Sequence, residues 1–202
     1  KSLILSLYIT NGPQSRVFVG LENFEFLLSD PDFRTAVWNT ATFTFFSIIL
    51  QIPVSLGLAM LLNSALVKGR NFFRFAFFSP HLFGQVFVAI LFAVIFIPKF
   101  GLLNRFLHWL VPAFPVDTKW LADPALIMPA LVLTALWMNI GFLMIYFLAA
   151  LQAIDRTLYE AASVDGANAI HRFIHVTLPG IKPVLVFVLV VITIGSFQLY
   201  EL

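Results

Sequence analysis

Cysteine is absent from the 202 residues, and charged residues make up only 11% of them. The lack of cysteine excludes disulfides and thiolate metal sites, so we expect no metal centre. The net charge of +2 is too small and too dispersed to indicate a nucleic-acid partner. Soluble domains carry roughly 25% charged residues, whereas 60% of this chain is hydrophobic. The composition therefore predicts a membrane protein.

Charge is missing altogether from four stretches of the chain. A helix needs about 20 apolar residues to cross a hydrocarbon core of roughly 30 Å, and each stretch meets or approaches that length. We therefore predict an all-α membrane protein with four complete spans in a single domain, residues 1–202. The four stretches are Thr35–Val67, Phe75–Pro98, Pro124–Ile154 and Pro183–Tyr200.

The connection after the first span indicates the orientation. Lys68, Arg70 and Arg74 lie there with no acidic residue nearby, and such clusters stay in the cytoplasm. The segment 97–123 is then external, with a short helix expected at Gly101–Leu110. By parity the segment Gln152–Thr177 is cytoplasmic.

This cytoplasmic segment is patterned as two helices rather than as a simple turn. Asp155 is suited to cap a helix that begins at Arg156, and Gly166 to end it in the left-handed conformation. A second helix is expected over Ala167–Val176, and Leu178-Pro179 begins the next span. The spacing is typical of a surface that docks another protein, and equally of a loop helix lying at the membrane interface.

The residues EAASVDGANAIHRFIHVTLP (160–179) resemble the EAA loop of permease subunits of binding-protein-dependent ABC importers. The match includes the glycine and the Leu-Pro pair at the family's spacing, and only Val176 departs, where isoleucine is usual. FVGLENFEFLLSDPDF, WNTATFTF, FGLLNRFL, FLAALQAIDRTLYEAA and GSFQLYEL resemble carbohydrate permeases of the maltose and glycerol-phosphate kind. The coupling-loop residues by this resemblance are Glu160, Ala161, Ala162, Asp165, Gly166, Leu178 and Pro179.

The resemblance implies the helical bundle of a type I ABC importer permease in a prokaryotic cell inner membrane. That bundle has six core helices. The four complete spans would be helices two to five, Leu3–Ile9 the end of the first, and the sixth would lie beyond Leu202. Residues 152–179 would be the cytoplasmic coupling loop.

The resemblance also implies the partners. The helix Arg156–Val164 would sit in a cleft of one of a pair of ATPase subunits, beside a second permease subunit in a heterodimer. An external solute-binding protein would deliver the small-molecule solute, and lipid would surround the spans. The sequence contains no phosphate-binding glycine loop followed by Lys and Ser or Thr. We therefore expect no enzyme activity and no cofactor in this chain, with ATP bound by the partner.

A transported polar solute needs hydrogen-bonding groups within the spans. Asn139, Gln85 and Gln51 are the favoured contacts, with Trp137 to stack on a sugar face, although an interhelical hydrogen bond explains each amide as well. Hydroxyl groups commonly bond back to their own helix, which is the expectation for the Ser and Thr residues. The remaining polar span residues considered include His81, Thr134, Thr193, Ser196 and Gln198.

The resemblance to carbohydrate permeases implies a sugar or sugar derivative as the solute, and the absence of charged residues from the spans fits a neutral polar solute. Importers of polyamine or phosphate carry such loops too and remain an alternative. A secondary carrier would need charged residues in its spans for ion coupling. A structural membrane subunit would leave the patterned loop unexplained.

Overall fold

The computed structural model describes residues 2–10, 16–64 and 67–198. The contacts form two compact units, one up to Thr42 and one from Phe43 onwards. Nearly all regular structure in the described ranges is helical. The elements are α1 (Ser2–Leu5), β1 (Tyr8–Thr10), β2 (Arg16–Phe18), α2 (Glu22–Ser29), α3 (Pro31–Asn63), α4 (Arg70–Phe78), a 3₁₀ turn (Ser79–Leu82), α5 (Gln85–Ile95), α6 (Leu102–Leu110), α7 (Pro124–Ala153), α8 (Arg156–Val164), α9 (Ala169–Arg172), a π-helical turn (Phe173–Thr177), α10 (Leu178–Gly180) and α11 (Lys182–Ser196).

The first unit begins with a short helix and a hairpin. The expectation of a helix through Ile9 is wrong, because α1 ends at Leu5 and β1 pairs antiparallel with β2, with Tyr8 opposite Phe18. Tyr, Ile and Thr, the three residues of β1, favour strands over helices. The Asn23 side chain of α2 donates to the Ser6 carbonyl at 2.8 Å and so joins α2 to this hairpin.

Two helices, α3 and α7, are long and apolar enough to cross a membrane unbroken. Helix α3 begins at Pro31, where the Asp30 carboxylate accepts the Asp32 N–H at 2.9 Å. Large apolar residues cover the outer face of α3, where Phe45 is 59% exposed. A helix that is apolar all round is typical of a membrane span.

The other two spans are bent. Helices α4 and α5 meet at 99° across the 3₁₀ turn, and the stretch from α9 to α10 meets α11 at 69°. Pro80 lies in the 3₁₀ turn and Gly84 precedes α5 with extended backbone, so the helical hydrogen bonding is interrupted there. The four predicted spans are found only when each bent pair counts as one span; neither bent pair is the continuous helix that hydropathy suggests.

Helix α7 lies at the centre of the second unit. Its Gly141 lies directly against the backbone of α4, and a Cβ at that position would collide with the Phe77 carbonyl. On another side, α7 packs on α3 and α11 through fully buried Phe147, Ala59 and Val188. These contacts bring three spans and the end of α4 together around one core.

Candidate functional site

Helix α8 is capped at its beginning. The Asp155 carboxylate accepts the Thr157 backbone N–H at 2.9 Å, which satisfies one of the free N–H groups at a helix start. This hydrogen bond lowers the pKa of Asp155, because it stabilises the ionised carboxylate. The prediction of a capped helix over Arg156–Val164 is confirmed at both bounds.

Gly166 ends the same helix as predicted. It has φ of +76°, in the left-handed region, where a Cβ is unfavourable. Its N–H donates to the Ser163 carbonyl at 3.2 Å, and the Ala167 N–H donates to the Ala162 carbonyl at 2.9 Å. This pair of bonds is the Schellman motif, which satisfies two of the last carbonyls of a helix.

The second helix of the segment begins later than predicted and is irregular. Asn168 caps it by accepting the His171 N–H at 2.9 Å, so α9 starts at Ala169 rather than Ala167. After Arg172 the chain widens into the π-helical turn that ends at Thr177. Single π-helical turns occur frequently at functional sites.

Two side-chain bonds join α8 to this second helical stretch. The hydroxyls of Tyr159 and Thr177 are 2.9 Å apart, and the Arg172 guanidinium donates to the Ser163 hydroxyl at 3.1 Å. Thr177 is only 5% exposed, whereas Ser163 lies at the surface. Helix α8 is therefore attached to the second helical stretch by one partly buried and one exposed hydrogen bond.

No other part of the described chain covers the outer face of α8. Glu160 pairs with Arg156 at 3.3 Å, with both side chains exposed, so this ion pair contributes little stability. Leu158 and Val164 are 53% and 88% exposed. Of the predicted loop residues, Ala162 alone is half-buried, and those at the surface are Glu160, Ala161, Asp165, Gly166, Leu178 and Pro179.

A second feature is a cavity of about 130 Å³ between the spans. The structure brings together three of the four predicted solute contacts at its wall: Gln51, Gln85 and Asn139. Trp137 is not among the lining residues; it lies against Phe92 beside a separate groove, with ring centroids 5.4 Å apart. The polar lining is completed by His81, Ser196 and Gln198.

In the sequence, His81, Ser196 and Gln198 are identified only as polar residues within spans. Nothing in the spacing of His81 and Ser196 indicates a shared site, because they are far apart in the chain and on different helices. His81 lies in the 3₁₀ turn, where its ring stacks on Phe142 at 4.3 Å. The bend there is what turns His81 towards the cavity, and hydropathy does not reveal the bend.

The hydrogen bonds of the lining side chains differ. The Asn139 amide donates to the Ala135 carbonyl at 3.0 Å and the Ser196 hydroxyl to the Ile192 carbonyl at 2.8 Å, so both bond to their own helices. The amides of Gln51 and Gln85 have no hydrogen-bond partner among the residues that the structure describes. Since an amide offers two donors and an acceptor, these two are free to bind a polar solute.

Outside the cavity, the expectation that hydroxyls bond back to their own helices is confirmed for two threonines and is wrong for Ser47, whose buried hydroxyl has no hydrogen-bond partner among the described residues. Thr134 donates to the Ala130 carbonyl at 2.9 Å, and Thr193 to the Leu189 carbonyl at 2.8 Å. These residues therefore need no solute to satisfy them.

Sequence comparison places these features in a known family. The family described as "binding-protein-dependent transport system inner membrane component" matches residues 36–200. The chain belongs to this family. By its description, this family consists of inner-membrane components of transport systems.

Two relatives illustrate the similarity of this chain to transport system permease proteins. It is 44% identical to the arabinooligosaccharides transport system permease protein of Bacillus subtilis over 91% of the chain and 58% of that protein. It is 35% identical to the lactose transport system permease protein of Rhizobium radiobacter over 100% of the chain and 66% of that protein. The chain thus spans less than two thirds of the length of these relatives.

Two solved structures share this fold. One chain of a bacterial ABC transporter involved in the import of the acidic polysaccharide alginate matches with a TM-score of 0.78 and 28% identity, covering 98% of this permease component and 68% of that chain. A second chain, from a bacterial alginate ABC transporter in complex with an alginate pentasaccharide-bound periplasmic protein, matches with a TM-score of 0.74 and 30% identity over 86% of this component and 59% of that chain. The helical arrangement is therefore that of an ABC importer permease.

Proposed function

We propose that the chain is part of the permease subunit of an ATP-driven importer and that α8 receives the energy of ATP hydrolysis. The observation that carries this proposal is the construction of α8. It is a short helix with both ends closed by hydrogen bonds, an uncovered outer face and a partly buried bond to Thr177, directly before α10. A loop helix that only rested on lipid would need no such attachment.

The partners follow from that assignment. A pair of ATPase subunits would bind the outer face of α8, where Glu160 supplies a charge and Leu158 an apolar contact. A second permease subunit would complete the pathway, and an external solute-binding protein would deliver the solute. ATP would be bound and hydrolysed by the ATPase subunits, and this chain would need no cofactor of its own.

In this proposal the ATPase subunits close on ATP and move α8 as a rigid body. Rigid-body movement of packed elements is an established way to switch between two states. Because α8 is attached to the spans, its displacement would tilt them between inward-open and outward-open arrangements. The cavity would then be reached from one side of the membrane at a time.

The cavity favours a neutral polar solute. Among the residues that the structure describes, its polar lining consists of amides, a hydroxyl and an imidazole, with no Asp, Glu, Lys or Arg. A cavity for a polyamine or for phosphate would need opposite charge, since burying an unpaired ion is costly. The two relatives described above are named for sugars, and we propose a sugar or an oligosaccharide as the solute.

The coupling role is tested in the complete transporter reconstituted in vesicles. Glu160→Ala combined with Gly166→Pro removes a contact and the glycine turn, because proline cannot adopt φ of +76°. We expect solute-stimulated ATP hydrolysis and uptake to fall together. Glu25→Ala, the same change at an exposed glutamate of α2, is the matched control. Unchanged uptake and hydrolysis in the double variant would refute the coupling role.

The solute is tested by uptake into the same vesicles. Labelled arabinotriose, lactose and maltose represent neutral sugars, and putrescine and phosphate represent the charged alternatives. We expect ATP-dependent uptake of at least one sugar and of neither ion. Uptake of putrescine or phosphate alone would contradict the assignment of the cavity.

A further inference from the structure

The hydrogen bond between Tyr159 and Thr177 attaches α8 to the helical stretch that leads into α11, whereas the chain connection from α7 to α8 is not helical. Between α7 and α8, Ile154 and Asp155 have extended backbone, with ψ of 129° and 127°. No helical hydrogen bonding continues through these two residues. The connection from α7 to α8 is therefore not a continuous helix, so α8 does not extend α7 as one rigid rod.

The other side of α8 is attached more firmly. Tyr159 lies near the middle of α8 and is half-buried, and its partner Thr177 is 5% exposed. The bond is thus partly shielded from water, and shielding makes a hydrogen bond electrostatically stronger. The exposed bond from Arg172 to Ser163 lies on the same side of α8 but is open to competition by water.

Thr177 is placed where movement can reach the next span. It is the last residue of the π-helical turn, and four residues later Ile181 is fully buried at the start of α11. The Ile181 N–H donates to the Thr177 carbonyl at 3.0 Å. The side chain and the carbonyl of Thr177 therefore connect α8 to the base of α11.

The far end of α11 forms part of the cavity wall. This helix has 15 residues and is thus roughly 22 Å long. Ile192 and Ser196, near its end, line the cavity, and Val188 in its middle is fully buried in the main core. Because the Thr177 carbonyl accepts the Ile181 N–H at the 69° bend that precedes α11, a displacement of the cytoplasmic loop reaches α11 and, through it, the solute cavity.

We propose that the hydrogen bond between Tyr159 and Thr177 is the mechanical link between α8 and the α11 wall of the cavity. Tyr159 and Thr177 are positioning residues in this role, since they need touch neither the ATPase subunit nor the solute. The proposal rests on the proposed function of α8 and specifies the route by which its movement reaches the solute. When this bond is absent, the ATPase subunit still moves α8, but α11 moves with it less closely.

The test measures sugar uptake and ATP hydrolysis together in vesicles containing the complete transporter, with arabinotriose as the first probe and lactose and maltose as the others. Tyr159→Phe and Thr177→Val each remove one hydroxyl and keep the side chain's size. We expect hydrolysis to stay near the wild-type rate while the sugar transported per ATP falls about fivefold, the factor that a hydrogen bond of ordinary net strength supplies. Thr177→Ser keeps the hydroxyl and should restore the ratio.

Two further variants separate this link from general effects of losing a hydroxyl. Thr193→Val makes the same change in α11 at a hydroxyl that bonds only to its own helix, and it should leave the ratio unchanged. The double variant Tyr159→Phe with Thr177→Val should be no worse than either single variant, because both remove the same bond.

The outcomes distinguish this proposal from the proposed function. A wild-type transporter with no ATP-dependent uptake of any of the three sugars would overturn the function itself. Wild-type coupling in Tyr159→Phe would overturn the link alone. Loss of the ATPase subunit from purified Tyr159→Phe transporter would also overturn the link, because Tyr159 would then act in docking.

Discussion

The contact between Gly141 and the backbone of α4 supports a sharp prediction about stability. In Gly141→Ala, the new Cβ would overlap the carbonyl of Phe77 and lie 2.6 Å from the Phe78 nitrogen. Both neighbours are backbone atoms, which cannot rotate away as a side chain can. The variant must therefore move α4 away from α7.

The size of the effect is set by two opposing contributions. Alanine favours the helix over glycine by roughly 1 kcal/mol, whereas overpacking a well-packed contact costs about 1–3 kcal/mol or more. Because the obstacle is backbone on a second helix, we expect the upper part of that range and a net loss of about 2 kcal/mol. For a protein of this size such a loss lowers the unfolding midpoint by roughly 4–8 °C.

The assay is thermal unfolding of the purified protein in detergent, monitored by tryptophan fluorescence. Gly57→Ala is the matched control, because Gly57 lies inside α3 and a Cβ there would meet no atom within 4 Å. We expect that variant to unfold at the wild-type temperature or slightly above it. If Gly141→Ala unfolded at or above the temperature of Gly57→Ala, the close approach of α4 and α7 would be refuted.

Three other predictions concern the loop and the cavity. Gly166→Ala should destabilise the end of α8 by about 1 kcal/mol. The cause is backbone strain alone, since a Cβ there has open space. Limited proteolysis measures this destabilisation, which should be smaller in Gly166→Asn. The pKa of Asp155 is lowered by the Thr157 N–H, so its cap is intact above the ordinary pKa of 3.8 and is lost as pH falls through the lower folded value. Hydrogen-exchange protection of α8 should therefore fall only in acid, and Asp155→Asn, which caps without titrating, should remove that dependence. Asn139→Ala should raise the KM of sugar uptake severalfold and Trp137→Phe should not, because only the first lines the cavity; equal effects would contradict this placement.

Much of the structure of the loop that contains α8, residues 152–179, could be predicted from local sequence. Asp155 and Gly166 act through hydrogen bonds and backbone conformation within a few residues of themselves, so their roles can be inferred from spacing alone. The early start predicted for α9 was wrong because Asn168 competes as a cap. The helix predicted through Ile9 was wrong because pairing of β1 with β2 depends on a second segment of chain.

The candidate solute contacts could be predicted only in part. Burial of polar side chains in a span identified Gln51, Gln85 and Asn139, since such groups are retained for packing or function. The same argument could not exclude Trp137. Its helix is apolar on all sides, so no polar face in the sequence indicates the direction in which the Trp137 side chain points. Here the neighbours of the helix decide which residues meet.

The sequence by itself determined that this is a helical membrane protein with a capped, glycine-terminated helix at Arg156–Val164, because hydropathy and capping depend on neighbouring residues. Only the tertiary structure decided where the spans bend, which amides meet in one cavity, and that Tyr159 bonds to Thr177. Those features join residues from separate helices. Their geometry depends on how apolar faces of nearly uniform composition pack together, and no local pattern specifies that packing.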